Sequence, residues 1–164
     1  MASTTCEPPG ALQVLLVVAS LSGNTRELAR MIAAQCEQAG HRVQWLEADD
    51  AGASPLPAGL ADLVLLGSWT DNAGRTPAEM KGWVARLAEA GCQPREVAVF
   101  GTGETQWGQA YYCGAVHRLM RYFASPHPGL QIEQMPHGAH HARAVADWTD
   151  AVLNACRSTP HVDH

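Results

Sequence analysis

The sequence predicts one α/β domain, a parallel sheet with helices packed on both faces. Three observations carry this. Short, continuous apolar runs at 14–19 (Val-Leu-Leu-Val-Val-Ala), 63–66 and 97–100 have the length and composition of strands buried on both faces. Segments whose apolar residues recur at helical spacing lie between them. The chain has 164 residues, 46% of them apolar and 16% charged, which suffices for one core without disulfides or metal and is too apolar for a disordered chain.

The elements follow in order. After the first strand, Leu28, Met31, Ile32, Cys36 and Ala39 form the stripe of a helix, and Gly40 stands where a left-handed stop belongs. Residues 42–46 predict a short second strand, and 48–59, rich in Ala, Asp, Gly and Pro, a connection. The third strand, 63–66, ends at Gly67. Pro77 suits the first turn of a second helix whose stripe is Met80, Trp83, Val84 and Leu87. The fourth strand, 97–100, ends at Gly101. A third helix covers 112–123, with Val116, Leu119, Met120 and Phe123 on one face; a fifth strand covers 130–135. The last helix covers 139–155, with Val145, Trp148 and Val152 inward. This gives tails at 1–11 and 158–164 around one domain at 12–157.

Charge and cysteines limit the function. Lys and Arg number 11 against 16 Asp and Glu, a net charge of −5, which repels phosphate backbones and argues against nucleic-acid binding. No apolar run approaches the ~18–20 residues of a membrane span. The first ten residues have no signal-peptide pattern. Five scattered cysteines without a CxxC pair predict a reduced protein of the cytoplasm rather than a disulfide scaffold. We expect a cytoplasmic monomer.

Ligands of open parallel sheets bind beyond the C-terminal strand ends. Three loops leave strands one, three and four there. Ser20-Leu21-Ser22-Gly23-Asn24-Thr25 puts three hydroxyls and a run of backbone N–H groups at a helix N-terminus, as a phosphate cradle does. An ordinary Ser/Asn helix cap is the plainer reading of that loop alone. It matches neither GxxxxGK(S/T) nor GxGxxG, which disfavours triphosphate hydrolysis and dinucleotides. The second loop, 67–77, offers Trp69 as a stacking surface, or as a residue packed on its own loop. The third, Gly101-Thr-Gly-Glu-Thr-Gln-Trp-Gly108, combines close-approach glycines with Trp107. Together they fit a planar aromatic ligand with one phosphate, which points to flavin mononucleotide (FMN).

These segments resemble the flavodoxin family. Ser-Leu-Ser-Gly-Asn-Thr is similar to its phosphate loop, (S/T)-x-(S/T)-G-N-T. Phe100-Gly-Thr-Gly-Glu-Thr-Gln-Trp107 is similar to its second flavin loop, and Tyr112-Cys-Gly-Ala-Val116 to the F-C-G-A-V segment that follows. The resemblance implies a flavodoxin-like, doubly wound, five-stranded parallel sheet of order 2-1-3-4-5. It also implies that Ser20, Leu21, Ser22, Gly23, Asn24 and Thr25 hold the FMN phosphate. Ser68, Trp69, Thr70, Asp71, Asn72, Ala73 and Gly74 would form the first flavin loop. Gly101, Thr102, Gly103, Glu104, Trp107, Tyr112 and Cys113 would form the second, with Trp107 stacked on the ring.

The first flavin loop departs from the family's G-(S/T)-Y-T-W-G-D-G pattern. Asp71 stands where the second stacking aromatic would be, and Asn72 where a glycine turns its peptide toward the reduced ring. Asn72 tolerates positive φ less freely than glycine, so the one-electron-reduced flavin is expected to be less favoured than in relatives. Asp71 and Glu104 are candidates for lowering the potential, and an acidic rim would steer a basic partner. The function implied is a low-potential electron carrier between a reductase and an acceptor enzyme, with no catalytic side chain. The alternative is a flavodoxin-like activator of manganese ribonucleotide reductase.

Other features are read as structural. His137 and His141 have i, i+4 spacing but no partner ligand in the sequence nearby, so exposed helix-start histidines are expected. Cys113 reads as a core residue, and Trp45, Trp83 and Trp148 as core or rim. A phosphoacceptor receiver needs acids after strands one and three, where this chain has Ser20 and Ser68.

Overall fold

The computed structural model describes residues 10–48, 61–71, 73–105, 108 and 112–158. Five strands, β1 (Gln13–Ala19), β2 (Arg42–Glu47), β3 (Leu63–Trp69), β4 (Val97–Gly103) and β5 (Leu130–Glu133), alternate with four helices. The helices are α1 (Asn24–Gln38), α2 (Ala78–Glu89), α3 (Gly114–Phe123) and α4 (Gly138–Ser158). All strand pairs are parallel, in the order β2-β1-β3-β4-β5 that the resemblance implied.

Strand alternation sorts the core into two layers. Val14, Leu16 and Val18 of β1 face α1 and α4, packing with Leu28, Ile32, Trp148 and Val152. Leu15, Val17 and Ala19 face α2 and α3, packing with Met80, Trp83, Leu87, Val116 and Leu119. Both faces of the sheet are therefore dry, which is why its central strands read as unbroken apolar runs. No helix among the described residues is long and apolar enough to cross a membrane.

Several element ends differ from the sequence reading, each for a local reason. β3 does not stop at Gly67, nor β4 at Gly101. Their ladder continues through Gly67↔Phe100, Ser68↔Gly101 and Trp69↔Thr102. Gly67 is small because a Cβ there would stand 2.2 Å from the Phe100 ring. The glycines mark close approach inside strands rather than strand ends. α3 begins at Gly114, because Cys113 (φ 48°) is left-handed and serves as its N-cap. β5 stops at Glu133, because Gln134 (φ 55°) turns the chain away. Pro77 lies just outside α2, as its extended N-cap. Gly40 does take the left-handed conformation (φ 90°) after α1.

Candidate functional site

The C-terminal strand ends surround an open groove of about 230 Å³. Leu21, Ser22 and Asn24 form one wall, Trp69 and Thr70 a second, and Thr102, Gly103 and Glu104 a third, with Gln134 closing the end beyond β5.

The first wall is the turn from β1 into α1. Its N-cap is Gly23, left-handed at φ 94°, and no side chain of the N-cap caps the helix. Ser20 braces the turn: its Oγ accepts the N–H of Gly23 at 3.1 Å and of Arg26 at 3.3 Å. The Asn24 and Thr25 amides have no acceptor among the described residues. The helix thus keeps two open donors at its positive end, the arrangement an anion requires and simple capping would have filled. Thr25 is buried, with its hydroxyl 2.7 Å from that of Thr102, so it ties α1 to β4 rather than lining the groove.

The Arg26 guanidinium faces Glu47, with Nε at 2.9 Å and Nη2 at 3.1 Å from its two oxygens. This hydrogen-bonded pair holds the Glu47 carboxyl below the usual carboxylate range. Among the described residues, no basic side chain lines the groove.

Trp69, the last residue of β3, is oriented by its ring N–H, which donates to Glu79 Oε1 at 2.8 Å. Ser68 is buried behind it, and its hydroxyl donates to the Trp69 carbonyl. Thr70 Oγ1 accepts the Ala115 N–H at 3.1 Å, joining the loop to α3. Asp71 is turned into its own loop. Its Oδ1 accepts the N–H of Arg75 and Ala73, and its Oδ2 accepts Arg75 Nε, each at 2.9 Å. These bonds, the Arg75 N–H foremost, hold its carboxyl below the usual range. Ala73 is exposed, and Gly74 is buried against α3 so closely that a Cβ at Gly114 would stand 2.2 Å from its carbonyl oxygen. The first-loop residues Asp71, Ala73 and Gly74 do not line the groove.

The third wall rests on Gly101, where a Cβ would stand 2.5 Å from the Ser68 carbonyl oxygen and 2.6 Å from Val116. The Gly103 carbonyl accepts the Gln134 N–H at 2.8 Å. Glu133 accepts the backbone N–H and hydroxyl of Thr105, which lower its pKa and fasten the β4–α3 loop to β5. Cys113 is fully buried behind β4, its thiol pushed up to about 12 by burial, so it is a core group and no nucleophile. Tyr112 is half-buried, and burial raises its phenol to about 12 as well. Neither lines the groove. Asn72 and Trp107 lie outside the described residues.

Gln134 was not among the sequence candidates. A glutamine between strand and helix carries no chemical signal, and only the level at which β5 ends brings it to the groove. The late histidines pair with each other instead of gathering ligands. The His137 N–H donates to His141 Nδ1 at 3.0 Å, and the rings meet edge to face at 4.7 Å. No metal-binding group of three or more His, Cys, Asp or Glu exists among the described residues.

Known proteins resemble this chain in sequence and fold. Residues 16–125 match the family model described as Flavodoxin. The probable flavodoxin 2 of Bacillus subtilis is 31% identical over 77% of this chain and 85% of its own length. A flavodoxin of Nitratidesulfovibrio vulgaris is 32% identical over 65% of this chain and 71% of its own. The crystal structure of oxidised flavodoxin 2 from Bacillus cereus superposes with a TM-score of 0.73 at 27% identity, covering 87% of this chain and 99% of that one. With the family model spanning most of the sheet and its three site loops, the chain belongs to the flavodoxin family.

Proposed function

We propose that the groove binds one FMN and that the protein is an electron carrier working between a reductase and an acceptor enzyme. The observation that carries this reading is the α1 N-terminus with two open backbone donors, set beside the oriented indole of Trp69. The donors suit a phosphate group without a cation, since the helix end supplies the partial positive charge. The Trp69 indole offers a flat apolar wall to a ring system, and the Gly103–Glu104 backbone approaches from the opposite strand.

When bound, FMN supplies the redox chemistry, and the protein supplies position and electrostatics. Glu104 is the single titratable side chain among the described residues lining the groove. Asp71 is neutralised by Arg75, so of the two acids expected to disfavour added charge, Glu104 is the one that faces the groove. We place the protein in the cytoplasm as a monomer, engaging protein partners rather than nucleic acid or membrane.

The test is anaerobic reduction of the purified holoprotein followed by mixing with a one-electron acceptor protein. We expect electrons to pass to the acceptor rapidly and the oxidised flavin spectrum to return. A reduced protein that passes none to such acceptors but consumes oxygen, and with it activates a manganese ribonucleotide reductase, would replace the carrier reading with the activator one.

A further inference from the structure

We infer that the end of the α2–α3 layer farthest from the groove is a docking surface for an acidic segment of a partner protein, which seats one apolar side chain between the two helix ends. This goes beyond the electron-carrier reading and does not depend on it.

The first observation is shape. A cavity of about 460 Å³ opens between Val84 and Leu87 of α2, Cys92 and Pro94 of the following turn, and Tyr122 and Phe123 of α3. That is within the range of sites that enclose a ligand group. Its edge is Tyr122, 61% exposed and braced edge to face on Phe123 with ring centroids 4.9 Å apart. An exposed aromatic held in a fixed orientation loses little entropy when a partner covers it, and tyrosine beside arginine is the composition of binding hot spots.

The second observation is charge. The chain is net acidic, yet α3 contains Arg118 and Arg121 and no Asp or Glu. His117, Arg118, Arg121 and Tyr122 are the exposed residues of that helix, and Arg118 lies one turn before Tyr122 on the same stripe. Arg118 and Arg121 make no ion pair among the described residues. At the groove end, by contrast, Arg26 and Arg75 are each held by a carboxylate. Beside the cavity α3 thus carries two arginines outside any ion pair among the described residues, against one exposed carboxylate, Glu89, at the end of α2, and the complement of that net positive rim is an acidic segment with one apolar anchor for the Val84, Leu87 and Phe123 side of the cavity. A symmetric second copy fits poorly, because pairing two α3 faces would bring the arginines together.

The third observation is placement. The helices run opposite to the strands, so the C-terminal ends of α2 and α3 lie at the far end of the molecule from the groove. A partner held there leaves the groove open.

The test uses the isotope-labelled holoprotein and a short synthetic peptide of Asp and Glu around one central Trp, followed by amide chemical shifts. Shifts are expected at 84–94 and 117–123. Affinity should fall about tenfold or more between low and high salt, because the contact is electrostatic at its rim. The double substitution Arg118→Glu, Arg121→Glu should abolish binding, and Tyr122→Ala should weaken it about tenfold. Both sites are exposed, and the visible flavin spectrum should be unchanged in either variant. Equal binding to the charge-reversed variant, or shifts at the groove instead, would overturn the proposal. So would binding to anionic lipid vesicles but not to the peptide, or a dimer that Tyr122→Ala dissolves. Loss of the flavin spectrum in wild type would count against the electron-carrier reading alone.

Discussion

Gly101 makes the strongest residue-scale case that the site is built by close packing. Its missing Cβ leaves room for the Ser68 carbonyl on one side and Val116 on the other. Gly101→Ala should destabilise the fold by about 1–3 kcal/mol, the usual cost of overpacking, and weaken FMN binding with it; chemical denaturation and flavin titration check the two effects. Glu79 acts on the site through Trp69. Glu79→Gln should keep the hydrogen bond to the indole and leave FMN affinity nearly unchanged, whereas Glu79→Leu frees the ring and should weaken affinity several-fold. Tryptophan-fluorescence quenching by bound flavin reads the same difference. At this scale the groove-facing Ser22, Asn24, Trp69, Gly103 and Glu104 were legible, because hydroxyls, glycines and aromatics clustered after a strand have few structural uses. That Asp71 would fold back onto Arg75 was not, because it depends on the turn the loop adopts.

The elements are tied together by buried polar contacts as well as by the two apolar layers. The Thr25–Thr102 hydroxyl pair joins the start of α1 to the end of β4, so the β1–α1 turn and the third wall share one support. Thr102→Val leaves the Thr25 hydroxyl buried without its partner. It should cost about 1–3 kcal/mol in denaturant unfolding, while Ser22→Ala, exposed at the groove, should leave stability nearly unchanged. The order of strands and helices was legible from periodicity, since each helix has one dry stripe and each central strand two dry faces. Their ends were not. Gly67 and Gly101 look like terminators in one dimension, yet their neighbours' ladders carry β3 and β4 two residues further. The left-handed Cys113 and Gln134 trim α3 and β5 with residues whose types do not announce it.

Over the whole molecule, the end opposite the groove is held by a histidine that works only when neutral. The Leu12 N–H donates to His41 Nδ1 at 2.9 Å, which a charged ring could not accept, and the Arg157 guanidinium, with Nη2 3.0 Å from Nε2, repels added positive charge on the ring. Burial, then Arg157, lowers the His41 pKa. The folded state therefore binds fewer protons than the unfolded one below the ordinary histidine value of ~6.5, and stability rises with pH across that window. Thermal unfolding should be nearly independent of pH between ~6.5 and ~8 and fall as pH drops below ~6.5. In His41→Gln the first part of that fall should flatten. A second decline belongs to Glu47 and Asp71, whose lowered pKa values add stability above the ordinary carboxylate range and lose it as pH falls below.

Whether the groove is an FMN site is measured most directly by titrating the flavin-free protein with FMN, followed by flavin fluorescence. We expect strong quenching that saturates at a single FMN per chain, with riboflavin binding far more weakly because it lacks the phosphate that the α1 N-terminus would hold. Flavin fluorescence unchanged by an excess of protein, or riboflavin binding as tightly as FMN, would contradict it.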